Sequence, residues 1–123
     1  MYKILNESEG HNIGVQLTGE VSKEEREEVV KMFKEIVNAN GRINILIELS
    51  EFKVFGSEAL AVDIEYVMPV VSKLKRFAFV SDSKWQEWYI AIDKTFAKMF
   101  GIEENYFDVD KIDEAWKWLK ENN

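Results

Sequence analysis

The chain is predicted to be a single α/β domain spanning 1–123, a mixed sheet of about five strands with four helices. Three observations predict it. Stretches of alternating or continuous apolar character take turns with stretches of helical period, the pattern of strand–helix–strand units. The first helical stretch carries its own start and stop signals. A composition of 46% apolar and 32% charged residues suits a folded globular domain and not a disordered one.

The elements follow in order. YKILNESEGHNIGVQLTGEV alternates around Glu9-Gly10-His11-Asn12, which predicts a β-hairpin over about 2–8 and 13–19. In SKEEREEVVKMFKEIVNANG, Ser22 and Glu25 form a capping box, acidic residues fill the first turn and Asn40-Gly41 closes the end. Val29, Phe33, Ile36 and Val37 make its apolar stripe. INILIEL is a near-continuous apolar run, the pattern of a strand covered on both faces. Residues 57–68 read as a helix that ends or kinks at Pro69, which lacks an amide donor and disfavours a helical Met68. RFAFVSD reads as a central strand. Ser83 and Gln86 then box a helix bearing Trp85, Trp88, Tyr89, Ile92, Phe96, Met99 and Phe100 before Gly101. NYFDV is a last strand, and Asp110 caps a final helix with Ile112, Ala115, Trp116 and Leu119.

Several function classes are disfavoured. The absence of cysteine excludes disulfides, Cys-bound zinc, iron–sulfur clusters and thiol nucleophiles. No leader is recognised after Met1 and no apolar run reaches membrane-spanning length, so a cytoplasmic location is expected. A net charge of −7 repels phosphate backbones, so no nucleic-acid partner is expected. The one basic cluster, Lys73, Lys75 and Arg76, reads as a solvated turn.

The element order and several strings resemble the SpoIIAA-like branch of the STAS domains. KRFAFVSDSKWQEWYIAIDKTF and YFDVDKIDEAWKWL carry most of the likeness, through Phe77–Val80, Lys84-Trp85, Phe107-Asp108, Glu114-Ala115 and Trp118-Leu119. The resemblance implies a STAS-like sheet and a regulatory rather than catalytic role. It also implies a likeness in shape to CRAL-TRIO lipid carriers, and so the alternative of a carrier or membrane-surface protein for lipid-like molecules. In the wider family, a D-L-S-x-V-x-x-I-D-S-S-G-L pattern carries a serine phosphorylated by a partner kinase. Laid on this chain, the pattern puts Glu48 at its first Asp, Leu49 and Ser50 on their equals, and Ser57 on the phosphorylated serine. Gly56 and Ala59 stand where the pattern has Asp and Gly. Ser57 is therefore read first as a helix N-cap, with phosphorylation as the second role.

Other candidates come from position. Ligands of open α/β sheets bind beyond the carboxyl ends of the strands, which singles out Ser50–Ser57 and Ser81–Trp85. Ser81, Asp82 and Lys84 are candidate pocket residues, and Trp85 and Trp88 belong to an aromatic stripe that serves as core, pocket wall or docking face. In FGSEALAVDIEYVMPVV, Leu60, Ile64, Val67 and Val71 should face the sheet. A second apolar row, Ala59, Val62, Tyr66 and Val70, is expected to wall an apolar pocket or form a homodimer contact, unless neighbouring helices of the chain cover it. His11, the only histidine, reads as a solvated turn residue, and Asp108, Asp110, Asp113 and Glu114 read as charges favouring a helix start. No nucleophile–base pair, metal set or cofactor motif is recognised, so no enzyme activity and no cofactor are expected. The expected function is a non-catalytic binding or regulatory module acting through protein contacts or a small apolar ligand.

Overall fold

The computed structural model describes residues 1–52, 64–82 and 101–121. Five strands form one sheet: β1 (Tyr2–Ile4), β2 (Asn12–Gly19), β3 (Ile43–Phe52), β4 (Leu74–Ser81) and β5 (Glu103–Asp108). Three α-helices accompany them among the described residues: α1 (Lys23–Asn40), α2 (Ile64–Val71) and α3 (Ile112–Lys120), the last preceded by a 3-10 turn, Val109–Lys111. The fourth expected helix, with the aromatic stripe, lies outside the described residues, as do Ser57, Val62, Lys84, Trp85 and Trp88.

Strand order in space equals order in sequence, β1-β2-β3-β4-β5. β1 runs antiparallel to β2, and every later pairing is parallel. Crossovers that all step in one direction with the usual right hand lay their helices on one face. Accordingly α1 and α2 share a core with that face: Val29, Phe33 and Val70 pack with Ile13, Val15, Ile43, Ile45 and Leu74. The chain then turns after β5, and α3 covers the opposite face through Ala115, Trp116 and Leu119 on Leu46, Ala78 and Val80. β3 is thus covered from both sides, as its near-continuous apolar run requires.

α1 begins and ends as its signals dictate. Glu25 N–H donates to Ser22 Oγ (3.1 Å) and Ser22 N–H donates to the Glu25 carboxylate (3.2 Å). Gly41 adopts φ 77° and its N–H donates to the Val37 carbonyl (2.7 Å), closing the helix in a conformation that glycine reaches without a Cβ penalty.

Several expectations about these elements need correction. Of the two outcomes expected at Pro69, an end or a kink, the end is not seen: α2 runs on to Val71. Proline removes one amide donor, yet the last turn still closes, with Ser72 N–H on the Met68 carbonyl (2.9 Å) and Lys73 N–H on that of Val70 (3.0 Å). Val70, expected on the outward row, is 4% exposed and belongs to the core against α1 and the sheet. Asp110 does not cap the last helix: it lies in the 3-10 turn, and Lys111 stands at the N-cap of α3. Arg76 is no turn residue but a buried member of β4, because strand alternation turns it inward while Lys75 faces out.

Candidate functional site

The carboxyl end of β4 lies between that of β3 and β5, and one side chain of β5 organises it. Tyr106 stands opposite Phe79 in the β4–β5 register. The two rings stack with centroids 6.0 Å apart and planes at 29°. From there the phenol reaches the end of β4. Its hydroxyl lies within donor distance of the Ser81 carbonyl (3.1 Å) and the Asp82 carbonyl (2.8 Å), and accepts from Ser81 Oγ (3.2 Å). A phenol has one proton, so the two carbonyls share it. Ser81 is fully buried, and its one hydroxyl proton is shared between the Tyr106 oxygen and the Asp82 carbonyl (3.1 Å). Burial, chiefly, raises the Tyr106 pKa above the ordinary tyrosine range, with the negative charges of Asp108 and Asp82 adding to it and the hydrogen bond from Ser81 opposing.

The same face carries an apolar patch. Leu49 and Phe79 are buried, and Leu17, Ile47, Phe77 and Tyr106 pack around them. The expected pocket residues Ser81 and Asp82 therefore meet at this edge, joined by a tyrosine that sequence reading took as an ordinary strand residue. The signal available was the period of two in Asn105-Tyr106-Phe107, which sends Tyr106 to the apolar face and Phe107 to the other. Tyr66 lies in α2.

The opposite face is built from rows of residues in register. The lowest is polar: Asn12 pairs Asn44, Asn44 pairs Arg76, and Arg76 pairs Glu103. Asn44 Nδ2 donates to Asn12 Oδ1 (2.9 Å) and to the Leu119 carbonyl (3.2 Å), while its Oδ1 accepts from Arg76 N–H (3.0 Å). Arg76 Nη1 donates to the Trp118 carbonyl, and Nη2 lies 3.1 Å from the Glu103 carboxylate. Two carbonyls at the end of α3 are thus met by the sheet: that of Leu119 by an amide, and that of Trp118, which also accepts from Glu121 N–H (3.3 Å), by a cation suited to the negative end of the dipole. One row up, Trp116 lies on Gly14, where a Cβ would sit 2.3 Å from Cζ2. The hairpin joins in: Lys120 Nζ donates to the Glu7 carbonyl (2.8 Å), pairs with Glu9 (2.9 Å) and lies 5.2 Å from the Trp116 ring centroid.

His11 is half-buried rather than solvated: its Nε2 is shut off from solvent, and its carbonyl accepts from Asn44 N–H (2.8 Å). Of the acidic cluster, Glu114 makes an exposed 4.0 Å ion pair with Lys111. Among the described residues no group of His, Asp and Glu gathers as a metal set, and no helix is long and apolar enough to cross a membrane.

A mixed sheet with sequential parallel strands, helices on both faces and a strand-end edge of this kind defines a STAS-type domain. A family model described as SpoIIAA-like matches residues 12–120, and the chain belongs to that family. No curated protein and no solved structure shows a match.

Proposed function

We propose that the protein is a non-catalytic regulatory binding module that engages a protein partner or a small apolar molecule at the carboxyl edge of β3 and β4. Domains of its family are in general regulatory or protein-interaction modules. The observation that supports this reading is the patch of Leu49, Phe79, Leu17, Ile47 and Phe77 ending at the Tyr106 hydroxyl and the Ser81 and Asp82 carbonyls. It joins a buried apolar cluster, with Leu17, Ile47 and Phe77 half-buried around it, to a few fixed polar groups, a combination also found in small-molecule sites. Its chemistry suits binding: a tyrosine held in the neutral form and hydrogen-bonded carbonyls offer no nucleophile and no base.

Methyl NMR with dodecanol as a neutral apolar probe tests the reading. Saturable shifts at Leu17, Ile47 and Leu49, lost in Leu17→Glu with the fold intact by circular dichroism, support it. Shifts that do not saturate, or that survive Leu17→Glu, overturn the site assignment for a small apolar molecule. Native mass spectrometry of protein prepared without detergent then identifies any molecule that copurifies at this site.

A further inference from the structure

On the sheet face beneath α3, the third row runs Lys3, Gln16, Glu48, Val80 and Phe107 in register across all five strands. Its two halves differ. Val80 and Phe107 belong with the apolar contacts of α3. Lys3, Gln16 and Glu48 are polar, and Thr18 and Ser50 continue that character one row further along β2 and β3. Within this polar half, Glu48 is only 8% exposed. Its hydrogen bond comes from a neutral amide, Gln16 Nε2, at a long 3.3 Å. No cation among the described residues lies within ion-pair distance; Lys3 is two strands away.

A carboxylate this deep ordinarily has a cation or several strong donors, since removing an unpaired charge from water is costly. The fold gains little from Glu48, because an amide or apolar side chain would fill the position without a charge to desolvate. With the Gln16 amide N–H directed at Glu48, the acceptors of the pair are the Glu48 carboxylate and the Gln16 side-chain carbonyl. That set matches the planar, five-donor guanidinium of an arginine.

We propose that the Glu48–Gln16 pair is the docking point for an arginine side chain of a partner protein. The proposal rests on the interaction-module reading and names the chemistry of the partner. It lies on the face of the sheet opposite the Leu49–Tyr106 edge, so the two can fail separately.

The test is side-chain NMR of the Glu48 carboxyl and Gln16 amide during titration with N-acetyl-arginine methylamide, with the uncharged citrulline analogue as control. The expected result is a saturable shift at Glu48 and Gln16 with the arginine probe, absent with citrulline and weakened at least about tenfold in Glu48→Gln. Thermal unfolding gives the second arm: Glu48→Gln should melt at the same temperature as the native chain or higher. Equal shifts with citrulline, shifts elsewhere only, or an unchanged response in Glu48→Gln overturn the proposal. So does a Glu48→Gln variant that melts lower or fails to fold, since Glu48 is then a structural partner of Gln16.

Discussion

Arg76 and Trp118 are joined twice: the guanidinium lies 4.7 Å from the indole ring centroid, and its Nη1 donates to the Trp118 carbonyl. The first contact is a cation–π interaction and the second ends a helix, so one side chain both seats α3 laterally and satisfies its terminus. Arg76→Ala removes the stronger of two donors to the half-buried Trp118 carbonyl, which keeps only the Glu121 N–H, and removes the stacked cation, at an expected cost of about 1–2 kcal/mol. Arg76→Lys should recover part of this, because an ammonium still serves the carbonyl but lacks the planar fork that also reaches Glu103. Urea unfolding of the two variants measures the difference. Equal stability of native and Arg76→Ala proteins would show that the row does not hold α3.

Gly14 and Trp116 give a packing test. With Cζ2 2.3 Å from the position of an added Cβ, Gly14→Ala forces the indole off the sheet. Overpacking of this kind costs about 1–3 kcal/mol. Trp116→Leu in the Gly14→Ala background should relieve the clash, so the two substitutions should be less destabilising together than their sum. A double-mutant cycle reads this coupling directly. Additive losses would mean that the ring and Gly14 do not bear on each other.

The capping box of α1 predicts a pH dependence. The backbone hydrogen bond from Ser22 holds the Glu25 carboxyl below its ordinary range; desolvation opposes it, and the N-terminal ammonium adds to the lowering. A carboxylate with a depressed folded-state pKa stabilises the fold fully at pH above its unfolded value. That contribution is lost as pH falls from the unfolded value through the folded one. Native protein should therefore lose stability on acidification through the ordinary glutamate range, and Glu25→Gln should lose less over that interval. Ser22→Ala removes the reciprocal cap at every pH, at roughly 1 kcal/mol. Parallel acid titration slopes for native and Glu25→Gln proteins, followed by circular dichroism, would contradict the assignment.

Local chemistry was legible before the structure, and long-range register was not. Ser22 with Glu25, and Gly41 after Asn40, mark α1 because a cap is decided within four residues of sequence. The apolar run around Ile45 and Ile47 marks β3 for the same reason: a doubly covered strand has no polar face. That same run concealed Glu48, which reads as the charged end of a strand until its neighbour Gln16 is known from a position 32 residues away. Arg76 beside Lys75 reads as surface charge. Its burial follows only once Asn44, Glu103 and the end of α3 are placed around it by strand order. At Pro69 the local rule was outweighed, since burial of Val70 on α1 favours completing the turn despite one missing donor. Of the strand-end edge, Ser81 and Asp82 were found from the general location of ligand sites in parallel sheets. Tyr106 was missed because its role depends on which strand lies next to β4.

Tyr106 gives the last test, at high pH. Its hydroxyl is the donor to the Ser81 and Asp82 carbonyls, and burial raises its pKa. Tyr2 is also raised, first by its hydrogen bond to Glu28. Both should ionise above the ordinary tyrosine range when absorbance is followed into alkali. Tyr106→Phe should remove one late component and leave the Tyr2 component in place. A group whose folded pKa lies above its unfolded one contributes stability fully below the unfolded value. That contribution is lost as pH rises through the folded value, so native protein should weaken in alkali more steeply than Tyr106→Phe. Near neutrality, Tyr106→Phe should cost about 1 kcal/mol, because one partly buried carbonyl is left without its donor. The loss should be local: hydrogen exchange at Ser81 and Asp82 should accelerate while the β2–β3 ladder keeps its protection. Uniform acceleration throughout the sheet, or none at Ser81 and Asp82, would show that the tyrosine does not hold the end of β4.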